Sequence, residues 1–97
     1  MSLIFRIAQS PMHEPEEATF VKEAIFVKGE AIKAFGTCKA DVICEMGHSS
    51  NDAGITLRLW NTANSRPTLI VLLLWEAVKT PGLIQRLFRD QFAQLGC

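Results

Sequence analysis

The sequence predicts an α+β fold, a two-layer sandwich in which an antiparallel sheet carries helices on one face, in the rough order β-α-β-β-β-α. Apolar and polar residues alternate over residues 38–46 and again over residues 55–60, which is the period of a strand with one wet face. Apolar residues recur four positions apart over residues 83–95, which is typical of an amphipathic helix. The length of 97 residues predicts a single domain over residues 1–97.

The N-terminal third is predicted to form a short strand over residues 3–8 and a helix over residues 15–35. Pro15 suits the first turn of a helix. A β-hairpin turning at Gly29-Glu30 remains an alternative, because a glycine inside a helix costs about 1 kcal/mol relative to alanine. The helix is favoured because the segments on either side of Gly29 do not alternate cleanly.

The segment over residues 68–78 contains the apolar run Leu69–Trp75. It is either a strand buried on both faces or a helix that is apolar on every side. We favour the strand, because a loop of hairpin length precedes the segment and Thr80-Pro81-Gly82 ends it. The run is far shorter than the roughly 20 residues that cross a bilayer as a helix, so no membrane association is expected.

Composition and charge restrict the class of function. Hydrophobic residues make up 48% of the chain and charged residues 21%, which favours a packed core over disorder. Ten basic residues balance ten acidic ones, so the positive excess of a nucleic-acid-binding domain is absent and no nucleic-acid partner is expected. The first residues lack the basic leader and long apolar stretch of a signal peptide.

The three cysteines are expected to be free thiols. Cys38 and Cys44, placed on one strand, would lie roughly 20 Å apart, too far for a disulfide. Cys97 ends the sequence and is expected to be mobile. An odd number of cysteines without a disulfide framework predicts a cytoplasmic location. The spacing of Cys38, Cys44 and His48 does not fit paired zinc knuckles, so no metal or cofactor is expected.

The loop that begins at His48 contains residue types used in nucleophilic catalysis, but serine, asparagine and aspartate are also common in turns. No catalytic residue is therefore assigned, and whether the protein is an enzyme stays open. The segment ending at Trp75 suggests binding instead. As a strand it is apolar on both faces, whereas the two predicted helices can cover only one face of the sheet. The uncovered face and the outward-facing Trp60 predict a protein-interaction surface.

The leading functional hypothesis is therefore a non-enzymatic protein-interaction module that forms a homodimer through this face. The alternative is a small-molecule-binding domain or small enzyme with an apolar pocket. Glu76, placed on the same strand face as Leu72 and Leu74, or His48 would be the polar group of that pocket. Trp60 and Trp75 are the candidate apolar contact residues, and a small apolar ligand is the expected occupant.

Overall fold

The computed structural model describes residues 2–8, 14–36, 38–49, 53–63 and 69–97. Side chains are described from residue 19 onward in the first helix. Within these ranges the chain forms four strands and three helices: β1 Leu3–Ile7, α1 Glu14–Phe35, β2 Val42–His48, β3 Gly54–Asn61, β4 Leu69–Leu74, α2 Trp75–Val78 and α3 Leu83–Gln94.

The strands form one mixed sheet in the order β1-β2-β3-β4. β2 and β4 run antiparallel to β3, whereas β1 pairs with β2 in parallel. The α+β class is therefore confirmed, but the prediction of a wholly antiparallel sheet is wrong at β1. The reason is α1: a helix between two neighbouring strands returns the chain to the end where it started, so that the second strand runs parallel to the first.

The long helix α1 decides between the two alternatives for residues 15–35. It spans 22 residues without a break at Gly29, and the space where a Cβ of Gly29 would lie is open. The prediction of a helix is confirmed, and the hairpin at Gly29-Glu30 is wrong. The buried residues of α1 recur at intervals of three or four, as expected for a helix with one face in the core: Phe20, Ala24, Val27 and Ala31.

The strand predicted over residues 68–78 is confirmed for Leu69–Leu74, and residue 68 lies outside the described residues. It ends at Leu74 because β3, its partner, begins opposite that residue at Gly54. The backbone N–H of Trp75 donates to the carbonyl of Ala53 at 3.1 Å, and beyond it the chain turns into α2. Trp75 and Glu76 therefore lie on a helix and not on a strand face, which corrects the sequence prediction.

Of the two central strands, one agrees with its predicted bounds and the other is shifted along the sequence. β3 agrees with the strand predicted over residues 55–60. β2 begins at Val42, so Cys38 precedes it, and it extends to His48, which was expected in a loop. Residues 50–52 of that loop lie outside the described residues.

Helix α3 confirms the amphipathic helix predicted near the C-terminus. It begins after Gly82, whose φ is 77°, and Gly96 follows its end at φ 102°. Its buried residues Ile84, Phe88 and Phe92 belong to the same core cluster as those of α1 and one face of the sheet. Gln85 Nε2 also donates to Glu30 Oε2 at 2.7 Å, which joins α3 to α1. No helix in the described ranges is long and apolar enough to span a bilayer.

Candidate functional site

The two faces of the sheet differ in what covers them. The inner face packs with α1 and α3, and it includes fully buried strand residues such as Cys44, Leu57 and Leu59. No described element covers the outer face, which is formed by the alternate strand residues. They are Ile4, Arg6, Ile43, Glu45, Thr56, Arg58, Trp60, Ile70, Leu72 and Leu74.

Three large apolar side chains of β4 form a row along the edge of the outer face, here named the β4 row. Ile70, Leu72 and Leu74 are 70%, 50% and 49% exposed. Strand residues two apart share a face, so these side chains stand next to one another. The backbone around them is packed closely, since a Cβ at Gly54, the partner of Leu74, would overlap the carbonyl of Leu73.

Trp60 lies near the end of β3 on the outer face, half-buried beside two arginines. The guanidinium carbons of Arg6 and Arg58 each lie 5.9 Å from the centroid of its ring, within the range of a cation–π contact. In the strand register, Glu45 of β2 lies opposite Arg6 of β1 on one side and opposite Arg58 of β3 on the other. The three residues therefore form a row of alternating charge across the sheet. The predicted outward position of Trp60 therefore agrees with the structure.

Two other candidate residues, His48 and Trp75, meet on the opposite side of the sheet. Their ring centroids are 6.2 Å apart, and His48 also makes an edge-to-face contact with Phe20 at 5.9 Å. Trp75 packs against the core, so Trp60 and Trp75 do not belong to one site. Glu76 is exposed on α2, which rules it out as the buried acid of an apolar pocket.

The cysteines are not three free thiols. Cys38 and Cys97 form a disulfide with their Cα atoms 4.5 Å apart, so the expectation of a mobile Cys97 is wrong. The free thiol of Cys44 is buried, and burial raises its pKa from 9.0 to about 12. A thiol held protonated in this way is a poor nucleophile. The part of the argument for a cytoplasmic location that depended on three free thiols therefore does not hold, and the location itself stays a prediction.

A groove between α1 and the edge strand β1 was not anticipated from the sequence. It encloses about 260 Å³. Within the described part of the chain, its lining consists of seven apolar side chains and one lysine: Phe5, Ile7, Phe20, Val21, Ala24, Ile25, Met46 and Lys28. The Lys28 ammonium lies 5.4 Å from the centroid of the Phe5 ring.

The sequence did contain a signal for this groove. Val21 and Ile25 fit the helical spacing of the apolar residues of α1. The structure leaves both of them exposed, because the core accommodates one stripe of α1 and these residues lie beside it. A helix with more apolar residues than one stripe needs indicates a second apolar surface.

Comparisons with known proteins assign no family. The chain matches no protein-family model, no curated protein and no solved structure. Among the described residues, no three His, Cys, Asp or Glu side chains are grouped so that they could hold a metal ion. Function is therefore inferred from the two surfaces, the outer sheet face and the α1–β1 groove.

Proposed function

We propose that this protein is a non-enzymatic interaction module that forms a homodimer through the outer face of its sheet. The observation that carries the proposal is the β4 row, in which Ile70, Leu72 and Leu74 stand side by side with about half or more of each side chain exposed. Each Å² of apolar surface that an interface removes from water contributes about 25 cal/mol of favourable free energy. Such a row on an edge strand is typical of a surface that a partner covers.

A second copy of the chain suits this face better than a different protein. In a two-fold symmetric dimer the same patch of each subunit contacts its counterpart, so the β4 row of one copy packs against the β4 row of the other. The formal net charge of the chain is zero, so two copies approach without overall repulsion. The strand also lies at the end of the sheet, which leaves room beside it.

The surroundings of Trp60 on the outer face support the same proposal. Trp60 contacts Arg6 and Arg58, and tryptophan and arginine are among the residue types most enriched at the energetic centres of protein interfaces. The alternating charges of Arg6, Glu45 and Arg58 would fix the orientation of the partner, because a misplaced copy brings like charges together.

The non-enzymatic part of the proposal is supported by the surroundings of the candidate catalytic groups. The Cys44 thiol is buried on the inner face. His48 packs among aromatic rings, and Glu76 stands exposed on α2. These three groups do not converge on the groove, whose lining contains none of them.

The proposal is tested by measuring the mass of the purified protein by light scattering and by sedimentation velocity. We expect twice the chain mass at micromolar concentration. Leu72→Lys, which places a charge in the middle of the β4 row, should give a folded monomer. Ile32→Lys is the matched control, since Ile32 is 55% exposed on α1, away from the sheet, and it should remain dimeric.

Two results would overturn the proposal: a monomeric wild-type protein, or a Leu72→Lys protein that dimerises as well as the Ile32→Lys control. Circular dichroism of both variants distinguishes loss of the interface from loss of the fold. Leu72 is half exposed, so its replacement removes little core packing and the monomer should keep its secondary structure.

A further inference from the structure

The second edge of the sheet is formed by β1, which has a neighbouring strand on one side only among the described residues. The Val42 N–H donates to the Ser2 carbonyl at 3.0 Å, and the Ala8 N–H donates to the Met46 carbonyl at 2.8 Å. Backbone groups alternate in direction along a strand, so these bonds place the even-numbered residues of β1 against β2. The N–H and C=O groups of the odd-numbered residues, Leu3, Phe5 and Ile7, therefore lie in the plane of the sheet but point away from β2, toward the outer edge.

No strand within the described ranges pairs with β1 on that outer edge. Unpaired N–H and C=O groups of an edge strand are a template for another extended chain. Five residues form β1, so a segment of about five residues, roughly 17 Å long, would match it.

The same odd-numbered residues also contribute side chains to the α1–β1 groove. Phe5 and Ile7 line it from the strand, and Val21 and Ile25 line it from the helix. A chain added along β1 would direct every second side chain to the inner side of the sheet, toward α1. The apolar groove therefore lies where alternate side chains of an added strand would be placed.

Lys28 determines the charge of the occupant. Among the side chains that the structure describes, it is the one charged group that lines the groove, and its ammonium lies over the ring of Phe5. A carboxylate beside it would gain a charge-assisted hydrogen bond next to an apolar surface.

We propose that β1 and the α1–β1 groove bind an extended polypeptide segment as an added strand. Its apolar side chains occupy alternate positions in the groove, and its carboxylate, from an acidic residue or a chain end, pairs with Lys28. This mode of recognition obtains affinity from backbone hydrogen bonds and specificity from side-chain pockets. It uses the edge of the sheet opposite to the β4 row, and its groove lies on the inner side of the sheet, whereas the proposed dimer uses the outer face.

The test uses a fluorescein-labelled peptide of alternating threonine and valine that ends in aspartate with a free carboxylate. Fluorescence anisotropy should show saturable binding to the wild-type protein and equal binding to Leu72→Lys, which separates this site from the dimer interface. Lys28→Glu should weaken binding by about tenfold or more. Lys39→Glu is the matched charge control, since Lys39 is exposed and outside the groove, and it should bind as the wild type does.

Two N-methylated peptides test whether the segment adds as a strand. One is methylated on its valines and the other on its threonines, so that each loses the N–H donors of one edge. Only one of the two should lose binding, and hydrogen exchange of the Leu3, Phe5 and Ile7 amides should slow when the unmodified peptide binds. Equal binding of both methylated peptides would overturn the proposal, as would no binding of the unmodified one.

Decanoate, a single-chain fatty acid, is the remaining arm of the test. It carries an apolar tail and a carboxylate but no backbone donors. If decanoate binds in a Lys28-dependent manner and the peptide does not, the groove is a small-molecule site and the peptide proposal is wrong.

Discussion

Cys38, which follows α1, is joined to Cys97, the last residue of the sequence, by a disulfide that spans 59 positions. Their Cα atoms lie 4.5 Å apart, and the backbone N–H of Cys97 also donates to the Phe92 carbonyl at 3.0 Å. The bond fastens the end of α3 to the segment that leads into β2. Strands β2 to β4 and both later helices lie within the loop that it closes.

The first prediction is that reduction of this disulfide lowers the free energy of unfolding. Closing a loop of this length restricts the unfolded chain, and the chain-entropy relation gives about 4 kcal/mol for it. We expect Cys97→Ser, measured by urea unfolding, to lose a stability of that order. A reducing agent should then have no further effect on Cys97→Ser, while it should bring the wild type to the same value. An unchanged wild-type curve after reduction would contradict the prediction.

The second prediction concerns the buried thiol of Cys44. Burial raises its pKa from 9.0 to about 12, so the thiol ionises in the unfolded chain at a lower pH than in the folded protein. The stability that follows from this difference is fully present below pH 9 and is lost as the pH rises toward 12. The loss amounts to about 1.4 kcal/mol for each pH unit in that window.

Cys44→Ala isolates this contribution. Its free energy of unfolding should fall less steeply above pH 9 than that of the wild type. Titration of the other ionisable groups affects both proteins equally and cancels in the comparison. Iodoacetamide should label Cys44 only after unfolding, as measured by mass spectrometry. Parallel pH curves for the two proteins would show that the thiol titrates normally in the folded state.

Local patterns predicted most of the elements. Alternation identified β3, and helical spacing identified α1 and α3, because each of these has one face in the core and the period of the element appears in the sequence. The end of β4 was not predictable in this way. Leu74 and Trp75 are equally apolar, and the strand stops where its partner β3 begins at Gly54, which is a property of the pairing.

The candidate site was predictable to a lesser extent. An apolar run with two apolar faces indicated an uncovered surface, and Ile70 and Leu72 are indeed exposed on it. The parallel position of β1 and the pairing of Cys38 with Cys97 depend on how distant segments meet. Both were therefore missed, and the only sign of the groove beside β1 in the sequence is that α1 carries more apolar residues than one buried stripe needs.

The third prediction compares two glycines. A Cβ at Gly54 would overlap the Leu73 carbonyl across the β3–β4 pair, whereas the space around Gly29 is open. Gly54→Ala should therefore destabilise the protein by at least about 2 kcal/mol, because the strands must move apart. Gly29→Ala should stabilise it by about 1 kcal/mol, because alanine has the higher helix propensity. Thermal unfolding of both variants tests the pair, and equal shifts in Tm would contradict it.

The fourth prediction concerns Asn61, a buried polar residue at the end of β3. Its Nδ2 donates to the Leu95 carbonyl at 2.7 Å, and its Oδ1 accepts a hydrogen bond from the Ala63 N–H at 2.8 Å. Asn61 thus links the sheet to the end of α3, close to the disulfide at Cys97. Asn61→Ala removes both bonds and leaves the Leu95 carbonyl without this donor, which should cost about 1–3 kcal/mol.

Thr62→Ala is the matched control for Asn61→Ala in urea unfolding. The Thr62 side chain is exposed and donates to the Asp41 carbonyl at 3.3 Å, so its loss should change stability by less than about 0.5 kcal/mol. Asn61→Asp should be at least as destabilising as Asn61→Ala, because it keeps the acceptor for Ala63 but places a carboxylate against the Leu95 carbonyl. If Asn61→Asp were as stable as the wild type, the donation to Leu95 would not hold α3 to the sheet.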